Sequence, residues 1–183
     1  RRAPAQILSS VKLRLRSDVP IAFCQSGGVD SNVLIGMAKH LGYDVHGFTV
    51  LGMDDRYDER EMVEAAIKHM GTRHTWISPR EDGFLSDLRK LVRAHDGPVI
   101  TATWYVHWLL MEAVAEHGYK VSITGTGADE LFSGYFDHHL YYLAHLRGQD
   151  GYADALRAWT EKVQPLIRNP VLRDPRTVPL RPW

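Results

Sequence analysis

The residues best equipped for chemistry fall in two short stretches, "AFCQSGGVDS" at 22–31 and "TGTGADELFSGY" at 124–135. Each leaves an apolar run through two glycines and reaches an acid: Gly27, Gly28 and Asp30 in the first, Gly125, Gly127 and Asp129 in the second. Bare glycine backbone lets a ligand approach closely, and the amides that open a following helix are unpaired donors whose dipole favours an anion. Ser26 and Ser31 add hydroxyl donors. The first stretch is a phosphate cradle by composition, yet it is neither the lysine-bearing G-x-x-x-x-G-K-[ST] loop nor the dinucleotide pattern G-x-G-x-x-G. A carboxylate at Asp30 would repel a phosphate unless a cation lay between them, which suggests a bridging Mg²⁺. The alternative is that Asp30 only caps a helix and the glycines only make a tight turn. Asp30 and Asp129 together could hold one metal-polyphosphate from opposite sides. The competing reading is two unrelated capped helices.

The surrounding pattern supplies elements to position both stretches. Ile7, Leu8, Val11 and Leu15 recur three and four apart and predict a helix over 4–16. Buried strands are expected at 19–24, 44–51, 73–78 and 120–126, and helices at 33–42, 58–70, 84–95 and 104–117. Strands separated by helices of this length imply parallel pairing, an α/β layered sandwich. The pattern turns helical from 128 to about 166, and a Pro- and Arg-rich tail follows. Both glycine-acid stretches come at carboxyl ends of strands, where open α/β sheets bind their ligands.

Composition narrows the classes. A chain of 183 residues with 44% hydrophobic and 24% charged content reads as one globular domain, not a disordered segment. Lys+Arg and Asp+Glu are equal at 22 each, which leaves no global field for a polyanion and disfavours a nucleic-acid partner. The single cysteine, Cys24, cannot form an internal disulfide, and with no signal-like or membrane-spanning stretch the chain reads as cytoplasmic. The basic residues of 1–16 read as a solvated helix face with snorkelling stems. His138, His139 and His145 near Asp137 lack the cysteine partners or H-E-x-x-H pattern of a zinc site, and no zinc is assigned. His74 could touch substrate or be structural. Trp104, Tyr105 and Trp108 could stack a base, but their spacing with Leu109 and Met111 is that of a packed helix.

"SGGVDS" at 26–31 resembles the pyrophosphate-loop signature of the N-type ATP pyrophosphatases. With "RLRSDVP" at 14–20 before it and "GADELFSGY" at 127–135 after the fourth strand, the chain resembles the synthetase domain of the glutamine-hydrolysing asparagine synthetases. "DERE" at 58–61, "GTRH" at 71–74 and "DGP" at 96–98 fall where that family has similar motifs, so the match covers about residues 7 to 145. "GYFDHH" at 134–139 and "RNPVLRDP" at 168–175 resemble a branch found in surface-polysaccharide gene clusters. The resemblance implies an adenine-nucleotide α-hydrolase fold with a helical C-terminal part and the cofactors ATP and Mg²⁺. It implies that Ser26, Gly27, Gly28, Asp30 and Ser31 bind the β- and γ-phosphates. Val50, Leu51 and Gly52 would lie near adenine, Thr124 and Gly125 would contact the nucleotide from the far side, and Asp30 and Asp129 would hold Mg²⁺. No loop lysine is needed, because pyrophosphate leaves and no γ-phosphoryl group is transferred. Asp129 and Glu130 are the expected catalytic residues, and Glu130, Tyr135 and Asp137 fall beside the crevice where they could line the acceptor site, with a helix-start charge as the alternative for Glu130.

Three departures from the family pattern stand out. Gln25 replaces the usual leucine before Ser-Gly-Gly, and Thr126 replaces a glutamate placed near the acceptor carboxylate, which puts the substrate's identity in question. The family's later phosphate-contacting lysine has no counterpart before Trp183, and no glutaminase domain precedes Arg1, so residues 1–183 are expected to be a synthetase-domain fragment. The expected activity is AMP-forming amidation of aspartate or a related acid by ammonia, drawn from a glutaminase domain of the full-length chain. The alternatives are a tRNA-modifying relative and a nucleotide-binding regulatory domain with impaired turnover.

Overall fold

In the computed structural model, residues 3–52, 58–80 and 82–176 are described. They form two compact units, 1–126 and 127–183.

The first unit is built on four parallel strands in the order β3-β2-β1-β4: β1 (Ile21–Cys24), β2 (His46–Val50), β3 (Arg73–Ile77) and β4 (Val121–Ile123). Five helices accompany them: α1 (Ala3–Arg14), α2 (Val29–His40), α3 (Arg60–Met70), α4 (Phe84–His95) and α5 (Ala102–Glu116). Alternation along β1 divides the core. Ile21 and Phe23 pack with Ile35 and Ala38 of α2 and with Val45 on one face. Ala22 packs with Phe48 of β2 and with Leu110 and Val114 of α5 on the other. A sheet apolar on both faces must be covered on both, as parallel strands require. The expected α/β sandwich is therefore present.

Chain order reverses at β1, which pairs with β2 on one side and β4 on the other. That switch point is where a crevice opens beyond the carboxyl ends of the strands. The helix after β1 differs from expectation, starting at Val29 and not at residue 33. Its first turn is the polar run Asp30-Ser31-Asn32, whose side chains suggest a loop in sequence but serve here as helix-start residues. Gly28 is the N-cap, with no side-chain cap bond, so Asp30 does not cap this helix. The strands are one to four residues shorter than expected, most at β4, where Thr124, Gly125 and Thr126 leave the ladder as a turn.

The second unit is helical, as the pattern from 128 onward predicts, but in separate pieces: α6 (Ala128–Phe132), α7 (Phe136–Leu146) and α8 (Tyr152–Lys162), then short 3-10 turns at Gln164–Leu166 and Pro170–Arg173. Leu140, Leu143, Trp159 and Ile167 form its own core. Ser133 and Gly151 take left-handed conformations at φ 60° and 89° and break the run into these pieces.

Candidate functional site

The β1–α2 loop is held by its own polar side chains. The Ser26 N–H donates to Ser31 Oγ at 3.1 Å, and the Gly28 N–H donates to Ser26 Oγ at 3.2 Å. Ser31, 6% exposed, donates back to the carbonyls of Ser26 and Gly28. Asn32 Nδ2 donates to the same two carbonyls, at 2.9 and 2.7 Å. The Ser31 hydroxyl, expected to face phosphate, is thus engaged inside the loop. The Gly27 N–H instead points to a carboxylate from elsewhere in the chain, donating to Glu59 Oε2 at 2.8 Å. Glu59 is the N-cap position of α3, and Gly27 lets that helix start approach closely: a Cβ on Gly27 would lie 3.1 Å from the Cβ atoms of Glu59 and Met62. The acceptor of this amide is thus a carboxylate oxygen, and bonds of this kind are charge-assisted.

The exit of β4 lies against this loop. A Cβ built on Gly125 would fall 2.8 Å from the Ser31 amide nitrogen and 3.2 Å from both the carbonyl carbon and Cβ of Asp30. Glycine is required there by close approach of two backbones, since its φ is not left-handed. Thr124 Oγ1 accepts from the Thr126 N–H at 3.1 Å and donates to Thr126 Oγ1 at 2.8 Å, which ties the exit into a turn. Val50, Leu51 and Gly52 follow the carboxyl end of β2, with the Leu51 N–H bonded to the Ile77 carbonyl at 2.8 Å. Ser26, Gly27, Gly28, Asp30, Ser31, Thr124 and Gly125 are thereby brought together, and Val50, Leu51 and Gly52 lie at the same edge of the sheet.

Asp129 and Glu130 belong to the second unit, in the first turn of α6. Gly127 caps that helix at φ 97°. Asp129 lies so close to Gly134 that a Cβ there would overlap its carboxylate. Tyr135 donates its hydroxyl to Glu130 Oε1 at 2.9 Å, and that bond holds the phenol above its ordinary pKa. Among the described residues, no hydrogen-bond donor or cation is paired with the side chain of Asp30 or Asp129.

Two further findings concern buried titratable groups. His74 on β3 has both ring nitrogens buried with no hydrogen-bond partner among the described residues, and burial first, then the charge of His46, pushes its pKa down to about 4. Burial raises the Cys24 thiol above its ordinary range, so it is not an activated nucleophile. Sequence reasoning did not single out Glu59 or the Gln25–Asn32 contact. The signals were "DERE" within reach of a glycine loop, and a glutamine where an apolar residue is usual.

A glycine loop at the switch point of a parallel sheet sits where open α/β proteins place their ligand sites. The chain belongs to the asparagine synthase family, whose model matches residues 4–177. It is 30% identical over 131 residues to asparagine synthetase (glutamine-hydrolyzing) 1 of Bacillus subtilis, covering 70% of this chain and 20% of that protein. It is 31% identical over 153 residues to amidase chry2 of Gibberella zeae, covering 71% of this chain and 22% of that protein. The chain spans about a quarter or less of the length of the curated relatives it matches. No helix among the described residues is long and apolar enough to cross a membrane.

Proposed function

We propose that this chain is the ATP-using domain of an amide-forming ligase that activates a substrate carboxylate as its adenylate. The observation that carries the reading is the Gly27 amide, which holds a carboxylate oxygen at 2.8 Å at the switch-point loop. A pyrophosphate oxygen is the stronger anion for the same donor, with the first-turn amides of α2 beside it. Ser26, Gly27, Gly28, Asp30 and Ser31 form the leaving-group side, Thr124 and Gly125 the opposite wall, and Val50, Leu51 and Gly52 the adenine edge. Asp30 and Asp129 are the residues that would hold Mg²⁺. Bound there, the ion would neutralise charge on the polyphosphate and polarise it.

A carboxylate oxygen of aspartate or a related acid attacks the α-phosphorus, and the bond to the β-phosphate breaks as pyrophosphate departs. Ammonia then attacks the acyl carbon and loses a proton as the bond to AMP breaks. Asp129 and Glu130 act on the acceptor side, Glu130 oriented by its bond from Tyr135. The chain's share of the barrier is positioning and charge stabilisation, with no covalent enzyme intermediate. Ammonia comes from a glutaminase domain of the longer protein, as the name of the Bacillus subtilis relative suggests. A cytoplasmic site of action agrees with one unpaired thiol. Incubation of the longer protein with MgATP, aspartate and ammonium should release AMP and pyrophosphate in equal amounts; ADP and phosphate as products would overturn the mechanism.

A further inference from the structure

A directional chain of hydrogen bonds runs from the glycine loop into the sheet. It begins at the carbonyls of Ser26 and Gly28, which both accept from Asn32. Only the NH₂ group of an asparagine amide can face two carbonyl oxygens, so Oδ1 of Asn32 must face the other way. There it meets Gln25, whose Nε2 donates to it at 3.0 Å. That contact in turn fixes the glutamine amide. Its Oε1 is left over Gly47 of β2, buried and with no hydrogen-bond partner among the described residues. His74 Nδ1 faces the same glycine: a Cβ on Gly47 would lie 2.5 Å from Gln25 Oε1 and 2.8 Å from His74 Nδ1. Gln25 cannot relax elsewhere, because its N–H bonds the Phe48 carbonyl at 2.9 Å, its carbonyl accepts from Thr49 Oγ1 at 2.7 Å, and the residue is 4% exposed.

We propose that Asn32 and Gln25 are positioning residues that preset the anion loop. Asn32 holds the two loop carbonyls, and Gln25, packed over Gly47 beside His74, steadies Asn32 through a donor to its Oδ1. A carbonyl oxygen turned toward a bound phosphate would repel it, so engaging both carbonyls with Asn32 withdraws them from an anion that takes the place of Glu59 at the Gly27 amide. A leucine at position 25, usual in the family this chain resembles, cannot orient Asn32. The proposal rests on the loop being the pyrophosphate site.

The test uses two readouts in the wild type, Asn32→Ala, Gln25→Leu and the double variant. The first is amide hydrogen exchange across 26–31 in the ligand-free protein. The second is calorimetric affinity for magnesium pyrophosphate. Asn32→Ala should speed loop exchange and weaken binding, each by about tenfold, the effect of one or two buried hydrogen bonds. Gln25→Leu should do the same by about threefold with little change in melting temperature, and the double variant should match Asn32→Ala alone, because Gln25 acts through Asn32. Unchanged loop exchange in both single variants, or losses that multiply in the double, would overturn the proposal. If Asn32→Ala does not fold, the shape-conserving Gln25→Leu decides it. If the wild type fails to bind magnesium pyrophosphate, the nucleotide reading fails while the exchange experiment still judges the brace.

Discussion

Replacing Gly125 by alanine tests the geometry of the site with one methyl group. The added Cβ would stand 2.8 Å from the Ser31 amide nitrogen and 3.2 Å from the Asp30 carbonyl carbon, both backbone atoms of the first turn of α2. Neither can rotate away, so the β4 exit and the helix start must separate by roughly half an ångström to restore ordinary contact. Overpacking of this kind costs about 1–3 kcal/mol. For a chain of this size that is a fall in melting temperature of roughly 3–10 °C. The displacement also moves the amides that would meet phosphate, so MgATP affinity should fall at least about tenfold. The control is Gly42→Ala, where φ is 81° but nothing lies within 4 Å. It carries only left-handed backbone strain, about 1–2 kcal/mol, and should leave affinity unchanged. Thermal unfolding and calorimetric titration with MgATP read both effects. The reasoning is refuted if Gly125→Ala keeps wild-type affinity, or if the Gly42 variant loses affinity as much.

Three further predictions follow from the same geometry. Glu59→Gln removes the charge that accepts from the Gly27 N–H; pyrophosphate affinity should rise about threefold, with the gain shrinking as salt is added, and a loss would show that Glu59 helps hold the metal instead. Asp30→Ala should weaken MgATP binding at least tenfold by calorimetry while lowering the ligand-free melting temperature only slightly, since an acid in the first turn of a helix is worth about 0.3–1 kcal/mol; comparable losses in both would refute the metal role. The His74 pKa is lowered from 6.5 to about 4, so between those values the unfolded chain binds more protons than the folded one. The stability it contributes is complete above about pH 6.5 and is lost progressively toward pH 4, on the order of 1–2 kcal/mol after discounting for solvent screening; His74→Phe should flatten that part of a pH titration of unfolding, and an unaltered slope would assign it to other groups.

The layered fold was legible because apolar runs and helical spacing alternate, and because both faces of β1 had to be covered. Element ends were less legible. At 29–32 the polar run Asp30-Ser31-Asn32 looks like loop, since side chains that bond to nearby backbone compete with helix. In the structure they remain helical while Ser31 and Asn32 bond back to the carbonyls of Ser26 and Gly28. The same property that made them read as loop is what lets them shape the loop before the helix.

The candidate site divides along a similar line. Glycines announce themselves, because few residues other than glycine meet a need for bare backbone, and Gly27 and Gly125 are each explained by a close approach. Partners distant in sequence do not. Glu59 reaches Gly27 across 32 positions, and nothing in "DERE" says which acid faces inward. Gln25 is the sharper case. Read alone, a glutamine closing a buried strand is a polar group out of place, which is costly unless bonded. Its sense appears only when Asn32, seven positions later and one helical turn into α2, presents the matching oxygen. Removing either partner leaves the other amide with one hydrogen bond fewer. An apolar residue at position 25 therefore takes from Asn32 Oδ1 its donor while the two loop carbonyls still depend on Asn32 Nδ2.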